Sequence, residues 1–294
     1  MAARTALKRL EPKNILYRFL GIGGLKVSAL SFGSWVTVGG QCGYETARDC
    51  MQEAWDHGVN YFDTAEVYAS GDCERLFWGG SGPNDTGLSN KHLFESMNAS
   101  LDRLCLDYVD IVMAHRPDRL TPMEEIVRAF AQIVNSGKAL YWGTSDWTSH
   151  DIERAHHMTA VHNLIPPVCD QPQYNMFCRE RAEGELVPVL ENYRYGLTIW
   201  SPLDNGVLTG KYNEGIPPNS RFAATNAVAS DKENMINFGK ALSLVEEKSK
   251  IEKVTENMKA LDVCKIKSIP GLIGRVEDIL GNRPSDPNLW GRWK

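Results

Sequence analysis

Two groups that exchange protons stand close together in "VNYFDTAEVY" (59–68): the carboxyl of Asp63 and the phenol of Tyr68. Side chains of these types do acid–base chemistry when a fold holds them beside a reacting group. The run before Asp63 reads as a buried strand, so the pair is delivered at a strand's end. Behind it, "ASGDCERLFWGGSGP" (69–83) reads as a glycine-rich loop where a helix and another strand are due. Further polar residues close other apolar runs: His115, then Thr144-Ser145, then Asp170-Gln171, then Trp200-Ser201.

The elements that position these groups alternate. "ALSFGSW" (29–35) precedes the amphipathic "ETARDCMQEAWDHG" (45–58), and "VNYFD" (59–63) follows. The amphipathic runs 89–104, 121–137, 149–161 and 179–196 lead into the apolar runs 107–115, 139–145, 167–175 and 197–203. Such alternation predicts βα units and a parallel sheet. The apolar runs do not alternate strictly, as expected of strands covered on both faces. In "TPMEE", Thr121 is expected to cap a helix, with Pro122 in its first turn. Polar groups at the C-terminal ends of several strands are the arrangement by which a (β/α)8 barrel builds a site. An open doubly wound sheet would place a glycine fingerprint after its first strand. "GIGGLKVS" (21–28) opens no helix, and "YRFLGIGGLKVSAL" reads as a hairpin. Six barrel strands are counted, two short of closure.

The 294 residues are 43% hydrophobic and 23% charged, which suits a globular α/β protein. A net charge of −5 argues against nucleic acid or an anionic membrane surface as a partner bound through bulk charge. No apolar run is long enough for a membrane span, and the N-terminus lacks the apolar core of a secretory signal. Seven scattered cysteines without a C-x-x-C pair fit a reducing, cytoplasmic setting. His156, His157 and His162 read as parts of an ordinary helix and its end, and no metal is expected.

At "FDTAEVY", "AHRPD", "YWGTSDW", "WSPLDNGVLTGKYNEGIPPNSR" and "ILGNRP" the chain resembles the aldo-keto reductases. Within them it is similar to the branch of the voltage-gated potassium channel beta subunits. The resemblance runs from about residue 17 to residue 284. It implies a TIM barrel that binds NADPH without a Rossmann motif and reduces an aldehyde or ketone, with 1–294 as one domain. Residues 1–16 would then be a flexible N-terminus and 285–294 a tail. By the resemblance, Tyr68 is the proton donor, Asp63 its supporting acid and His115 the residue that orients the carbonyl. Ser145 and Gln171 match the carboxamide contacts, and Trp200 the aromatic on the nicotinamide face. Trp35, Ser201, Leu203, Lys211 and Arg221 match other cofactor contacts, and Glu256 and Asn257 the adenine side. Asp146 stands where channel-type relatives often have arginine. A phenol with a pKa of about 10 is a poor acid at neutral pH, and the family's lysine lowers it.

That lysine is missing. The helix and strand that should carry it are absent between "FDTAEVY" and "FWGG", where Arg75 is the nearest cation. A second helix, strand and phosphate loop are missing where "ALSLVEEKSK" joins "IEKVTENMKALDV". The two junctions, near Arg75/Leu76 and Lys250/Ile251, have the pattern of skipped exons or an erroneous gene model. Three readings follow: a reductase with weakened turnover, a cofactor-binding regulatory subunit without useful turnover, or a chain that does not fold stably. The substrate, any homo-oligomer and any channel-type partner are left open by the sequence.

Overall fold

A computed structural model describes residues 15–35, 43–68, 85–209, 211–212, 214–217 and 283–284. The chain enters through an antiparallel hairpin, β1 (Tyr17–Phe19) and β2 (Lys26–Ser28). Its turn passes through Gly21 at φ +60°, in the left-handed region that glycine adopts without penalty. A Cβ there would lie 2.2 Å from the Val168 carbonyl oxygen, so only glycine lets the hairpin pack so closely.

Two parallel sheets follow. One pairs β3 (Phe32–Gly33) with β4 (Phe62–Asp63). The other orders β5 (Val109–Ala114), β6 (Ala139–Thr144), β7 (Cys169–Asp170) and β8 (Gly196–Leu197) side by side in sequence order. These six strands are the six expected, each shorter than its apolar run. Among the described residues no ladder joins β4 to β5 or β8 to β3. Those are the two places in the strand order where the sequence reading expects a βα unit to be missing. The architecture is α/β with parallel sheets.

The helices are α1 (Tyr44–Asp56), α2 (Asn90–Leu104), α3 (Met123–Asn135), α4 (Ser149–Val161) and α5 (Val187–Tyr193). Ser89 and Thr148 cap α2 and α4 by accepting from the backbone N–H groups of His92 and Asp151. The expected cap at Thr121 is not made. Its hydroxyl donates instead to Asp118 Oδ2 at 2.7 Å, and Pro122 occupies the cap position without a side-chain acceptor. The expected helix over 179–196 is also broken, into a π-helical turn (Arg181–Glu185) and α5, with a proline in the first turn of α5.

The main core lies between α3 and the four-stranded sheet. Ile126, Val127, Phe130 and Ile133 turn inward from α3, and Phe130 stacks on Trp142 of β6 at 4.8 Å and 6°. Trp142 satisfies its indole N–H on the Ile165 carbonyl at 2.8 Å. Buried large aromatics need such a partner for their polar edge.

Candidate functional site

Each strand end hands its next residue to the same rim. Backbone bonds carry the ladder one step beyond the strands: Ser145 N–H donates to Ala114 O at 3.0 Å, and Gln171 N–H donates to Thr144 O at 2.8 Å. Beneath them a buried polar layer fixes the ends. The Thr144 hydroxyl donates to Asp170 Oδ1 at 2.6 Å and lies 2.9 Å from the Tyr195 hydroxyl. Burial pushes the Asp170 carboxyl up to about 6, against the opposing bonds from Thr144 and the Trp147 N–H.

Above this layer the side chains converge. The Gln171 amide reaches Asp63 at 3.4 Å, linking β7 to β4. The Tyr68 and His115 rings meet edge to face at 5.8 Å. Trp35 and Trp200 do the same at 6.4 Å. Ser145 is buried and donates its hydroxyl proton to the Gln171 carbonyl at 2.8 Å. Trp35, Asp63, Tyr68, His115, Ser145, Gln171 and Trp200 are thus brought together from both sheets.

Others are placed apart from this cluster or lie outside the described residues. Ser201 follows Trp200 at φ +52°, and its carbonyl accepts from the Asn175 amide at 3.0 Å. Leu203 is exposed. Lys211 folds along its own turn, with Nζ 4.9 Å from the Tyr212 ring centroid. A Cβ at Gly206 would touch the Lys211 side chain at 2.5 Å. Arg75, Arg221, Glu256 and Asn257 lie outside the described residues.

The electrostatics separate the groups. Burial raises the Asp63 carboxyl, and the Gln171 bond partly offsets this. Among the described residues no lysine or arginine pairs with Asp63. Burial lowers the His115 imidazole, the neighbouring Arg116 lowers it further, and Asp146 opposes both. His115 is therefore neutral at pH 7 and able to donate one hydrogen bond.

Two residues carry more of this geometry than their sequence context assigned them. Arg116 donates to its neighbour's carbonyl, His115 O, at 2.8 Å and to Ser145 Oγ at 2.9 Å, and pairs with Asp146 at 3.2 Å. Asp146 sits at φ +54° and accepts from the Trp200 indole N–H and the Gln173 N–H, both at 3.2 Å. Strained backbone at strand ends is common where a site is built. The signal for Arg116 was a cation directly after a strand-end histidine in "AHRPD". Asp146 thus faces a cation that reaches it from the neighbouring strand end.

The donor set suits a flat ring bearing a carboxamide. Ser145 keeps an acceptor lone pair once its proton is committed to Gln171 O, the Gln171 side chain offers an amide, and Trp200 offers a ring face. A cleft of about 580 Å³ opens beside Trp200 and Asp146, lined also by Gln173, Cys178, Arg181 and Arg283. No helix among the described residues is long and apolar enough to cross a membrane.

Residues 29–265 match the aldo/keto reductase family, most of the chain, and the chain belongs to this family of oxidoreductases. It is 50% identical over 246 aligned positions to a Schizosaccharomyces pombe protein named as a voltage-gated potassium channel subunit beta, covering 75% of this chain and 71% of that one. It is 39% identical over 326 positions to an Arabidopsis thaliana protein of the same name, covering 93% of this chain and 99% of the relative. A relative of that name from Oryza sativa subsp. japonica is 39% identical over 320 positions, with 91% and 97% covered. In the Arabidopsis alignment 93% of 294 residues, about 273, spreads over 326 positions, so about 53 positions have no residue here.

Proposed function

We propose that this chain is a cytoplasmic NADPH-dependent oxidoreductase of aldehydes or ketones, folded as a (β/α)8-type barrel short of two βα units. The convergence of Asp63, Tyr68, His115, Ser145, Gln171 and Trp200 at the strand ends carries this reading. When bound, the reduced nicotinamide supplies a hydride to the carbonyl carbon. Ser145 and Gln171 hold the carboxamide, and Trp200 backs the ring, with Trp35 against its edge. Ser201, Leu203, Lys211 and Arg221 serve the phosphates, and Glu256 and Asn257 the adenine side. Neutral His115 donates a hydrogen bond to the substrate oxygen and orients it. Tyr68, in ring contact with His115, gives its proton to that oxygen as negative charge develops.

The missing lysine weakens this last step. A cation beside the phenol stabilises the phenolate that proton donation leaves behind. Here the described partner of Asp63 is the neutral Gln171 amide. Turnover is therefore slow. With NADPH and a reactive aromatic aldehyde, Tyr68→Phe lowers kcat by about a hundredfold or more and leaves the cofactor Kd within about twofold. An unchanged kcat would remove Tyr68 from the chemistry.

A second reading is a regulatory subunit that binds the cofactor without useful turnover and meets a channel-type partner. The names of the three relatives favour it. Saturable NADPH binding with no Tyr68-dependent turnover would select it over the first reading.

A further inference from the structure

Arg116 has no part in the reaction just described, yet it touches two of the groups assigned to the nicotinamide. Its guanidinium donates to Ser145 Oγ at 2.9 Å and lies 5.7 Å from the centroid of the Trp200 ring. Asp146 balances it at 3.2 Å and also holds the Trp200 indole N–H. Arg181 approaches the far oxygen of Asp146 at 3.7 Å. A cation is thus fixed against a hydroxyl and an aromatic ring, and an anion against the N–H of the same ring.

The two redox forms of a nicotinamide differ by one positive charge on the ring. Uncharged contacts such as Ser145, Gln171 and Trp200 hold both forms nearly alike. A fixed charge beside the ring does not: it acts on the oxidised ring by Coulomb's law and leaves the neutral reduced ring nearly untouched. We propose that the Arg116–Asp146 pair sets the preference of this site between reduced and oxidised nicotinamide. Arg116 disfavours the oxidised form, and Asp146 offsets part of that effect. The inference rests on the nicotinamide reading of the site. Because Arg116 is about half exposed, at 52%, water screens the effect to several-fold rather than orders of magnitude.

The test is a pair of titrations of the full chain, with NADPH and with NADP+, followed by tryptophan fluorescence. The quantity read is the ratio of the two dissociation constants, oxidised over reduced. Arg116→Gln removes the repulsion and leaves Asp146 less compensated, so the ratio falls by about threefold or more. Arg116→Lys keeps the charge and holds the ratio near that of the unaltered chain. Asp146→Asn moves it the other way, raising it by a similar factor. A purely structural role for these residues would move both constants together and leave the ratio fixed. An unchanged ratio in Arg116→Gln, or a fall in both Arg116→Gln and Asp146→Asn, overturns the proposal while the nicotinamide reading stands. If neither form binds the unaltered chain, the nicotinamide reading fails and this inference fails with it.

Discussion

Asp170 and His156 flank Tyr195 beneath the strand ends, and burial moves their titrations past each other. His156 stacks on Tyr193 at 4.0 Å and meets Tyr195 edge-on, and its Nε2 is buried without a partner. Desolvation lowers it to about 4. An unfolded chain binds that proton near pH 6.5, so between about 6.5 and 4 the unfolded state holds more protons. Stability is then full above pH 6.5 and falls as pH drops through this window. Asp170 is raised to about 6, so it acts with the opposite sign: its burden eases as pH falls below 6. His156→Phe keeps the ring stack and deletes only the first effect. In urea unfolding it should gain about 1–2 kcal/mol relative to the parent chain between pH 7.5 and pH 4.5, screening included. An equal difference at both pH values would contradict the assignment. The sequence placed His156 on a helix, but its inward face was not legible there, because that depends on Tyr193 and Tyr195 some forty residues on. The strand-end positions of Asp63 and His115 were legible from the apolar runs before them, whereas the role given to Tyr68 came from the resemblance. The reach of Arg116 to Ser145 and Trp200 was not, since it crosses three strand ends.

At the scale of elements, periodicity was a good guide wherever two layers share a core. The amphipathic pattern over 121–137 became α3, whose apolar stripe covers β6, and the six apolar runs became β3 to β8. Caps and ends were harder to read, because a hydroxyl chooses among nearby acceptors. Thr121 chose Asp118. Within β6, Gly143 leaves room that no other residue would, since a Cβ there would meet the Cys169 carbonyl oxygen and Sγ at 2.7 Å. The Phe130–Trp142 stack joins α3 to this strand, with both rings fully buried. Phe130→Ala opens a cavity between the two layers and should destabilise the chain by about 3–5 kcal/mol, read as a lower urea midpoint. A loss below about 1 kcal/mol would show that the α3 layer does not support the sheet. The strand ends depend on that support, so cofactor affinity should weaken in the same variant at a temperature where it is still folded.

For the molecule as a whole, the sequence reading of two missing βα units is a proposal that sets what the described strands have to do alone. About 53 positions of the Arabidopsis alignment have no residue here, and among the described residues no ladder joins β4 to β5 or β8 to β3. Open strand edges are a liability that barrels normally remove by closure. The groups proposed to bind the nicotinamide nonetheless come from the parallel strands that are present: Ser145 after β6, Gln171 after β7 and Trp200 after β8. The central claim is therefore that this chain, with the strands described, holds a cofactor. Titrating the purified full chain with NADPH while following tryptophan fluorescence tests it most directly. The account predicts a saturable quench that is largely lost in Trp200→Leu. No saturable change in the unaltered chain, or an identical one in Trp200→Leu, would contradict it.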